Sequence, residues 1–457
     1  MLETNESLYV IPVIQVSRNN NNGLIVLSRA LPDCDVNYIY QVKKLLFLIL
    51  ITEAAICKSL VFPPYKHSYG IRKATPGHLF MFFGPRTRFD DPQGLATTRL
   101  ETWDDPSTEK DDDEVVVYGV NSGQHEIIYN TSMWGLDIYG KKGSGEGQFL
   151  FPKGVAADSK GNVIVADSGN NRVVHLFNPR SKLRWKAAYY ARESSGGFKG
   201  PSRVALDEKG DIYVADQGNS RIVILSKDGD VKQTIPSHNK FTFENGPTAL
   251  AMADGSAKWS FFRREKIIFC ADKGGKRVWK LDLNGNVLKK TSLPDGYSAC
   301  YGAIDYYHNY WITDKNRHCV LKFDHDLNLL DIFGSHGTGD NQFVEPRGIT
   351  IYKRYGQVFI AEQKGAQYYW IGTELKSASL NSAQNGPYKL TVKATEYSFV
   401  SLFSLNGADT VYYMIRRMML PPVYTVPVLT EKKLVPGNQV ILKIEPTYSS
   451  YSYNAWF

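Results

Sequence analysis

The hydrophobic pattern of the chain is most regular between Gly143 and Phe177. Two short apolar runs, Gly154–Ala157 and Asn162–Ala166, flank the polar segment Asp158–Gly161, which is typical of a β-hairpin. A second polar turn and a third apolar run follow at once. The pattern predicts a meander of short antiparallel strands, and one such meander cannot cover both of its own faces.

The same pattern recurs along the chain at a spacing of roughly 50 residues, which is close to the length of a β-propeller blade. Clear copies begin near residues 152, 201, 247, 300 and 346, and a degraded copy begins near residue 92. Each copy predicts one four-stranded sheet, and packing the sheets around an axis would cover their faces.

The copies at residues 152 and 201 resemble NHL repeats. Both contain Gly followed by Asn or Asp, a strand that ends in Val-Ala-Asp, and then Gly-Asn-x-Arg. The resemblance spans residues 79–372, although Thr313 replaces Ala and Glu362 replaces Asp in later copies. NHL proteins are six-bladed propellers, so the resemblance implies an all-β protein with a six-bladed β-propeller at residues 60–375.

The apolar run His78–Phe83 resembles the segments that precede later copies, so it predicts an outer strand without a blade of its own. The last copy ends at Gly372 without an obvious outer strand. Pairing of His78–Phe83 with residues 366–371 would close the ring and remove two exposed sheet edges.

The repeat period stops after Gly372. The composition of Lys376–Gly386 is typical of a linker. Alternating segments such as Tyr388–Lys393 and Val440–Ile444 then predict a small C-terminal β-sandwich at residues 376–457.

Residues 1–59 are interpreted as a leader. Basic residues at 43–44, an apolar run at 45–51 and small residues at 54–59 follow the order of a secretory signal peptide near residues 42–59. A buried strand is the alternative interpretation, and the run is too short to span a bilayer. A signal peptide predicts a secreted, cell-surface or periplasmic protein.

Residues 1–41 have no place in such a signal, so the leader suggests a wrongly assigned start, with bacterial translation beginning at Val42. The net charge of the 457 residues is +8, which is modest. Hydrophobic residues make up 43% of the chain, enough for a core, and the 28 tyrosines suit a β-rich protein.

Aspartate and arginine recur at matching positions of the copies. A catalytic site is used once, whereas a structural clamp is used in every blade, so recurrence favours clamps that accept turn N–H groups and pair with arginine. The predicted clamp residues are Asp167, Arg172, Asp216, Arg221, Asp272, Arg277, Asp314 and Arg317.

An acidic insertion at residues 104–114 is a candidate metal site, where carboxylate oxygens would bind Ca²⁺ as the cofactor. It lacks the spacing of an EF-hand, and a solvated acidic loop is the favoured interpretation. The carboxylates that would bind calcium are Asp104, Asp105, Asp111, Asp112 and Asp113.

The opening of the predicted channel is the candidate ligand site. The residues that begin the inner strands should ring one opening, with three cations and no anion among them. A solvated rim without a ligand is the alternative. These mouth residues are Gln93, Lys153, Arg203, Thr248, Tyr301 and Arg347.

The sequence therefore favours a binding or scaffold protein that recognises a protein, a glycan or a small anionic ligand at this mouth. Nucleic acid is disfavoured, because a secreted protein seldom meets it. The alternative is a propeller enzyme, a lyase or a hydrolase, since some NHL-type propellers resemble peptidyl-amidoglycolate lyases, which use metal-bound histidine. The nine histidines form no short metal-binding motif here, so zinc would need ligands from distant positions.

Overall fold

A computed structural model describes eleven parts of the chain. They are residues 9–12, 24–28, 59–61, 73–103, 115–132, 135–192, 196–236, 241–383, 386–406, 409–428 and 440–448. Two compact units are present, residues 65–369 and residues 1–64 with 370–457. Among the described residues, no helix is both long and apolar enough to cross a membrane.

Antiparallel sheets follow one another through residues 65–369. Sheet 1 contains Pro92–Thr98, Val116–Asn121, Glu126–Asn130 and Leu136–Tyr139. Sheet 2 contains Val155–Ala157, Asn162–Asp167, Arg172–Phe177 and Arg184–Tyr189. Sheet 3 contains Pro201–Leu206, Ile212–Asp216, Arg221–Leu225 and Val231–Ile235.

Three further sheets repeat this arrangement. Sheet 4 contains Pro247–Asp254, Lys266–Asp272, Arg277–Leu281 and Val287–Ser292. Sheet 5 contains Gly302–Ile304, Tyr310–Asp314, Cys319–Phe323 and Leu329–Phe333. Sheet 6 contains Ile349–Tyr352, Gln357–Glu362 and Gly365–Ile371. Ser335–His336 and Gln342–Phe343 form a small parallel pair before sheet 6.

The first hairpin of several sheets is set by an aspartate at the turn. Asp158 accepts the Asn162 N–H at 2.8 Å through Oδ1 and the Asn162 side-chain amide at 2.8 Å through Oδ2. Asp305 binds Asn309 in the same way, with both distances 3.0 Å. A short polar side chain that bonds the backbone a few residues ahead favours a turn over a continuing strand.

The second turn of sheets 1, 2 and 3 is a short 3₁₀ segment, Ser122–Gln124, Ser168–Asn170 and Gln217–Asn219, followed by one residue in the left-handed region. In sheet 2 that residue is Asn171, and its Oδ1 accepts the Gly200 N–H at 2.8 Å. His125 occupies the equivalent position in sheet 1, where its Nδ1 accepts the Phe151 N–H at 3.0 Å. The turn of one sheet therefore fixes the segment that enters the next.

Apolar side chains fill the space between neighbouring sheets, as the burial of both faces requires. Val120 and Ile127 of sheet 1 share a core with Val163 and Leu176 of sheet 2, and continuous cores also join sheets 2 to 3, 3 to 4 and 4 to 5. The first strand of sheet 6 contacts the first strands of both sheet 5 and sheet 1. The contacts between first strands thus form a closed circuit.

The strand that completes sheet 6 differs from the expected one. Lys73 pairs with Gln367 and Ala74 pairs with Ala366, a few residues before the expected His78–Phe83. Residues Pro76–Phe83 form an α-helix, followed by the 3₁₀ segment Gly84–Arg86, so the predicted strand was wrong.

Local signals explain this helix. Pro76 occupies the first turn, where its missing N–H costs nothing. The Thr75 N–H donates to Nδ1 of His78 at 3.2 Å, which caps the helix start. A short apolar run cannot by itself distinguish a strand from a helix, and the Thr-Pro start signal decided this case.

The second unit contains two further sheets. One contains Leu375–Ala383, Gly386–Ala394 and Val423–Pro427. The other has the order Tyr9–Pro12, Leu24–Ser28, Val440–Pro446, Ser398–Asn406 and Asp409–Met419. Leu390 and Val426 of the first sheet share one core with Val400 and Leu442 of the second. The segment interpreted as a linker is therefore mostly a strand.

Leu60–Val61 pairs with Trp370 and Ile371 in this second unit, and the Gly372 N–H donates to the Ser59 carbonyl at 3.0 Å. The strands Tyr9–Pro12 and Leu24–Ser28 fall in a region where the sequence predicts no element. The signal-peptide segment 42–58 lies outside the described residues.

Candidate functional site

The mouth residues begin the first strands of the six sheets, where neighbouring backbones come very close. A Cβ atom on Gly94 would lie 2.6 Å from the Lys153 carbonyl oxygen, and one on Gly348 would lie 2.1 Å from the Gln93 carbonyl oxygen. Only glycine fits at such distances. The Gly94 N–H donates to the Lys153 carbonyl at 2.8 Å, so the approach also satisfies buried backbone groups.

Tyr301 joins three of the sheets at the mouth residues. Its hydroxyl donates to Gln93 Oε1 at 2.8 Å and contacts the Lys153 carbonyl oxygen at 3.1 Å. The side chain thus reaches from sheet 5 to sheets 1 and 2, and only 4% of it is exposed. Burial raises the pKa of Tyr301 well above the ordinary value of a tyrosine.

Arg203 is also buried here. Its guanidinium carbon lies 3.3 Å from the centroid of the Tyr301 ring, and its Nη2 donates to the Cys300 carbonyl at 2.8 Å. Thr248 donates to the same carbonyl at 2.9 Å. The cation–π contact and the carbonyl acceptors partly offset the free-energy cost of removing the Arg203 guanidinium from water. They do not neutralise its positive charge.

Lys153 adds a second positive charge beside Arg203. Its pKa is lowered, first by burial and then by repulsion from Arg203 and Lys273. Neither Lys153 nor Arg203 forms an ion pair with a carboxylate in the part of the chain that the structure describes. The two cations therefore create a positive potential at a partly desolvated position.

Arg347 differs from the other two cations. Its Nη1 contacts Asp91, and its Nη2 lies 2.9 Å from Glu345 Oε2. Gln93 also donates to Asp91, at 2.9 Å. The expectation of a mouth without anions was therefore wrong, because Asp91 and Glu345 immediately precede the proline of their repeats and turn back towards it. An acidic residue directly before the proline was the sequence feature that could have revealed these two anions.

The predicted clamp residues lie at the second turns of their sheets. Ion pairs between aspartate Oδ2 and arginine Nε measure 2.8 Å for Asp167 and Arg172, 2.7 Å for Asp216 and Arg221, and 2.6 Å for Asp272 and Arg277. The aspartates also accept backbone N–H groups of the segment entering the sheet, as from Leu150 and Lys199 at 2.7 Å each. The carboxylates of these aspartates are therefore engaged in ion pairs and hydrogen bonds that hold the turns.

The fourth predicted clamp is arranged differently. Asp314 accepts the Ser298 N–H at 2.6 Å, but the Arg317 Nε donates to the Gly296 carbonyl at 2.9 Å. Asp314 pairs in register with Cys319, which holds the position that arginine has in sheets 2, 3 and 4. Arg317 is three residues after the aspartate rather than five, so spacing could have identified the difference.

The acidic calcium candidate at residues 104–114 lies outside the described residues. A different group can hold a metal: among the described residues, Glu265, His308 and His325 place three donor atoms within 4.8 Å of one another. They come from three separate turns of sheets 4 and 5, so no short motif could have revealed them.

Comparison with protein families gives a match to the NHL repeat at residues 149–176 and 198–225. Comparison with curated proteins gives no match.

Solved structures with similar folds have low sequence identity to this chain. A streptogramin B lyase is 12% identical, with 62% of this chain and 95% of that chain aligned and a TM-score of 0.42. A gluconolactonase from Xanthomonas campestris is 11% identical, with 69% and 98% aligned and a TM-score of 0.44. Virginiamycin B lyase from Staphylococcus aureus is 13% identical, with 56% and 76% aligned and a TM-score of 0.40. The chain therefore contains two NHL repeats, at residues 149–176 and 198–225, within a series of antiparallel four-stranded sheets.

Proposed function

We propose that this chain is a binding protein that receives an anionic ligand at the mouth formed by Lys153, Arg203 and Tyr301. In this proposal the NHL repeats form a six-bladed β-propeller, which the closed circuit of first strands supports. A C-terminal β-sandwich follows, which the common core of the last two sheets supports. Export by the segment near residues 42–59 remains part of the proposal.

The observation that carries the proposal is the pair of cations without a carboxylate partner. Burial, and after it the repulsion from Arg203, lowers the pKa of Lys153. An anion between them would relieve the repulsion and would accept charge-assisted hydrogen bonds. A hydrogen bond to a charged group contributes about 1.5–3 kcal/mol, which is enough to direct selectivity.

The chemistry of the mouth favours binding over catalysis. The Tyr301 hydroxyl already donates to Gln93, and its raised pKa makes it a poor proton donor or acceptor near neutral pH. The guanidinium of Arg203 offers N–H donors and no acceptor. These mouth groups can therefore orient and neutralise an anion more readily than they can transfer a proton.

A panel of acidic and neutral oligosaccharides and peptides, tested on the purified full-length protein, would examine this proposal. We expect acidic members to bind, with affinity that falls as salt is raised. Lys153→Gln should weaken that binding by about tenfold or more, since one charge-assisted hydrogen bond is lost.

The matched control is Lys160→Gln, which removes the same charge from an exposed turn at the other end of the same inner strand. Its binding should equal that of the unmodified protein. The proposal fails if no acidic member binds, or if Lys153→Gln and Lys160→Gln have the same effect.

A further inference from the structure

Three turns of sheets 4 and 5 bring Glu265, His308 and His325 together. Glu265 ends the hairpin loop before Lys266–Asp272, and the two histidines lie in the first and third turns of sheet 5. Successive turns of an antiparallel meander alternate between its two ends. This cluster therefore lies at the opposite end of the sheets from the mouth residues and is separate from the proposed ligand site.

The hydrogen bonds of His308 leave one ring nitrogen without a partner. Ser260 Oγ donates to the Phe262 carbonyl at 3.4 Å, so it accepts from Nε2–H of His308 at 2.6 Å. The lone pair is then on Nδ1, which is buried and has no hydrogen-bond partner in the described part of the chain. The opposite tautomer would leave an unpaired N–H at the same place.

The unpartnered Nδ1 of His308 lies 3.9 Å from Oε2 of Glu265. A nitrogen lone pair and a carboxylate oxygen repel each other unless a cation is placed between them. Unpaired buried polar atoms are rare in proteins, and each calls for a physical explanation. A bound metal ion would satisfy both donor atoms.

His325 supplies the third donor. Its Nε2 lies 2.6 Å from the same Oε2 of Glu265, and its Nδ1 lies 3.3 Å from Oδ1 of Asp326. Metal-binding histidines commonly direct the other ring nitrogen at an oxygen acceptor, which fixes the tautomer. Ser260 has that position for His308, and Asp326 has it for His325.

We propose that Oε2 of Glu265, Nδ1 of His308 and Nε2 of His325 bind a zinc ion. Two histidines and one carboxylate are a donor set that zinc accepts in proteins, with a fourth position left for water or a small anion. Coordination through Nε2 requires the neutral tautomer of His325 that has its one ring proton on Nδ1, where it faces Asp326.

Lys280 is the nearest competing cation. Its Nζ is 3.3 Å from both ring nitrogens of His325 and donates to the His325 carbonyl at 2.9 Å. An ammonium that is equally far from both ring nitrogens lies on the lone-pair axis of neither. Lys280 therefore does not occupy the position of a metal ion bound to Nε2 of His325. A cavity of about 280 Å³, lined partly by Glu265, Lys280 and Asp326, gives an ion a path to the cluster.

Metal binding can be measured directly on the metal-stripped full-length protein without an affinity tag. Calorimetric titration should show one zinc ion per chain, and Co²⁺ should give the visible absorption bands of a low-coordinate histidine–carboxylate site. Glu265→Gln and His325→Gln should each weaken zinc binding by more than the roughly 10–100-fold expected for loss of an outer partner. Both residues are partly exposed, so the variants should fold.

His336→Gln is the matched control. His336 lies next to His318, with ring centroids 4.4 Å apart, and is not part of the cluster. Its zinc binding should be unchanged. The proposal is overturned if the unmodified protein binds no zinc, if Glu265→Gln and His325→Gln bind it normally, or if His336→Gln loses it equally.

A destabilised variant can still be tested by the change in its Tm when zinc is added. Zinc should raise the Tm of the unmodified protein and of His336→Gln but not that of the ligand variants.

Discussion

Individual buried histidines in this protein are held neutral by their surroundings, and His175 is the clearest case outside the proposed metal cluster. Its Nε2 lies 2.9 Å from Asn162 Oδ1 and its Nδ1 lies 3.0 Å from the Tyr189 hydroxyl. Burial, with a smaller contribution from Lys186, lowers the pKa of His175 to about 4. Folding therefore opposes its protonation.

This shift predicts a pH dependence of stability. The folded pKa of about 4 lies below the unfolded value of 6.5, so between these values the unfolded chain binds a proton that the folded chain does not. The stability from neutral His175 is complete above pH 6.5 and is lost as the pH falls towards 4. The loss is on the order of 3 kcal/mol.

His175→Gln tests this prediction, since glutamine can bond Asn162 and Tyr189 without titrating. Denaturant unfolding at several pH values should show a smaller fall in the free energy of unfolding for the variant than for the unmodified protein. Equal slopes for the two proteins would contradict the assignment.

At the scale of elements, three features recur in several of the sheets: an aspartate turn, a second turn closed by a polar pair, and an inner glycine. Asn121 and Glu126 in sheet 1 have a contact of 2.8 Å at the clamp position, and Glu362 and Gln367 in sheet 6 have one of 3.0 Å. The geometry thus persists where the aspartate and arginine do not. What the turn requires is a buried acceptor and a donor, rather than one particular ion pair.

The clamp in sheet 3 can be compared with a surface ion pair in the same sheet. Asp216→Ala leaves Arg221 without its buried partner and should lower the free energy of unfolding by about 3–5 kcal/mol. Lys232 pairs with Asp211 at 2.6 Å while half exposed, so Lys232→Ala should cost less than about 1 kcal/mol. Chemical denaturation measures both, and similar losses would argue against the clamp role.

At the scale of the whole ring, the circuit closes where sheet 6 meets sheet 1. The Gly348 N–H donates to the Gln93 carbonyl at 3.0 Å, and the first strands of the two sheets touch. No apolar side chain could be placed between these backbones. Closure therefore depends on a small residue at one position.

Gly348→Ala should destabilise the ring by about 1–3 kcal/mol, because its Cβ would lie 2.1 Å from the Gln93 carbonyl oxygen. The control is Gly77→Ala in the short helix, where the nearest atom is 3.7 Å from the new Cβ and alanine favours the helix. Thermal unfolding should show a lower Tm for the first variant and an unchanged or higher Tm for the second.

The local structure could be predicted from the sequence because it depends on residues that are close together along the chain. The alternating apolar runs, the Asp-x-x-Gly turns and the recurring Asp–Arg spacing predict strands, turns and clamps whose partners are a few residues away. The same reasoning failed at His78–Phe83, where the start signal Thr75–Pro76 was stronger than an apolar run without clear period. It also placed Arg317 in a clamp position that Cys319 holds.

Contacts between distant residues were decided by the tertiary structure. The sequence determined the NHL repeats, the four-stranded sheets and the residues that begin each inner strand. Only the packing of the sheets placed Tyr301 against Gln93, paired Arg347 with Asp91, and joined Glu265 to two histidines on other turns. Spacing along the chain specifies a periodic local structure, whereas charge balance at a site depends on which side chains the closed ring brings together.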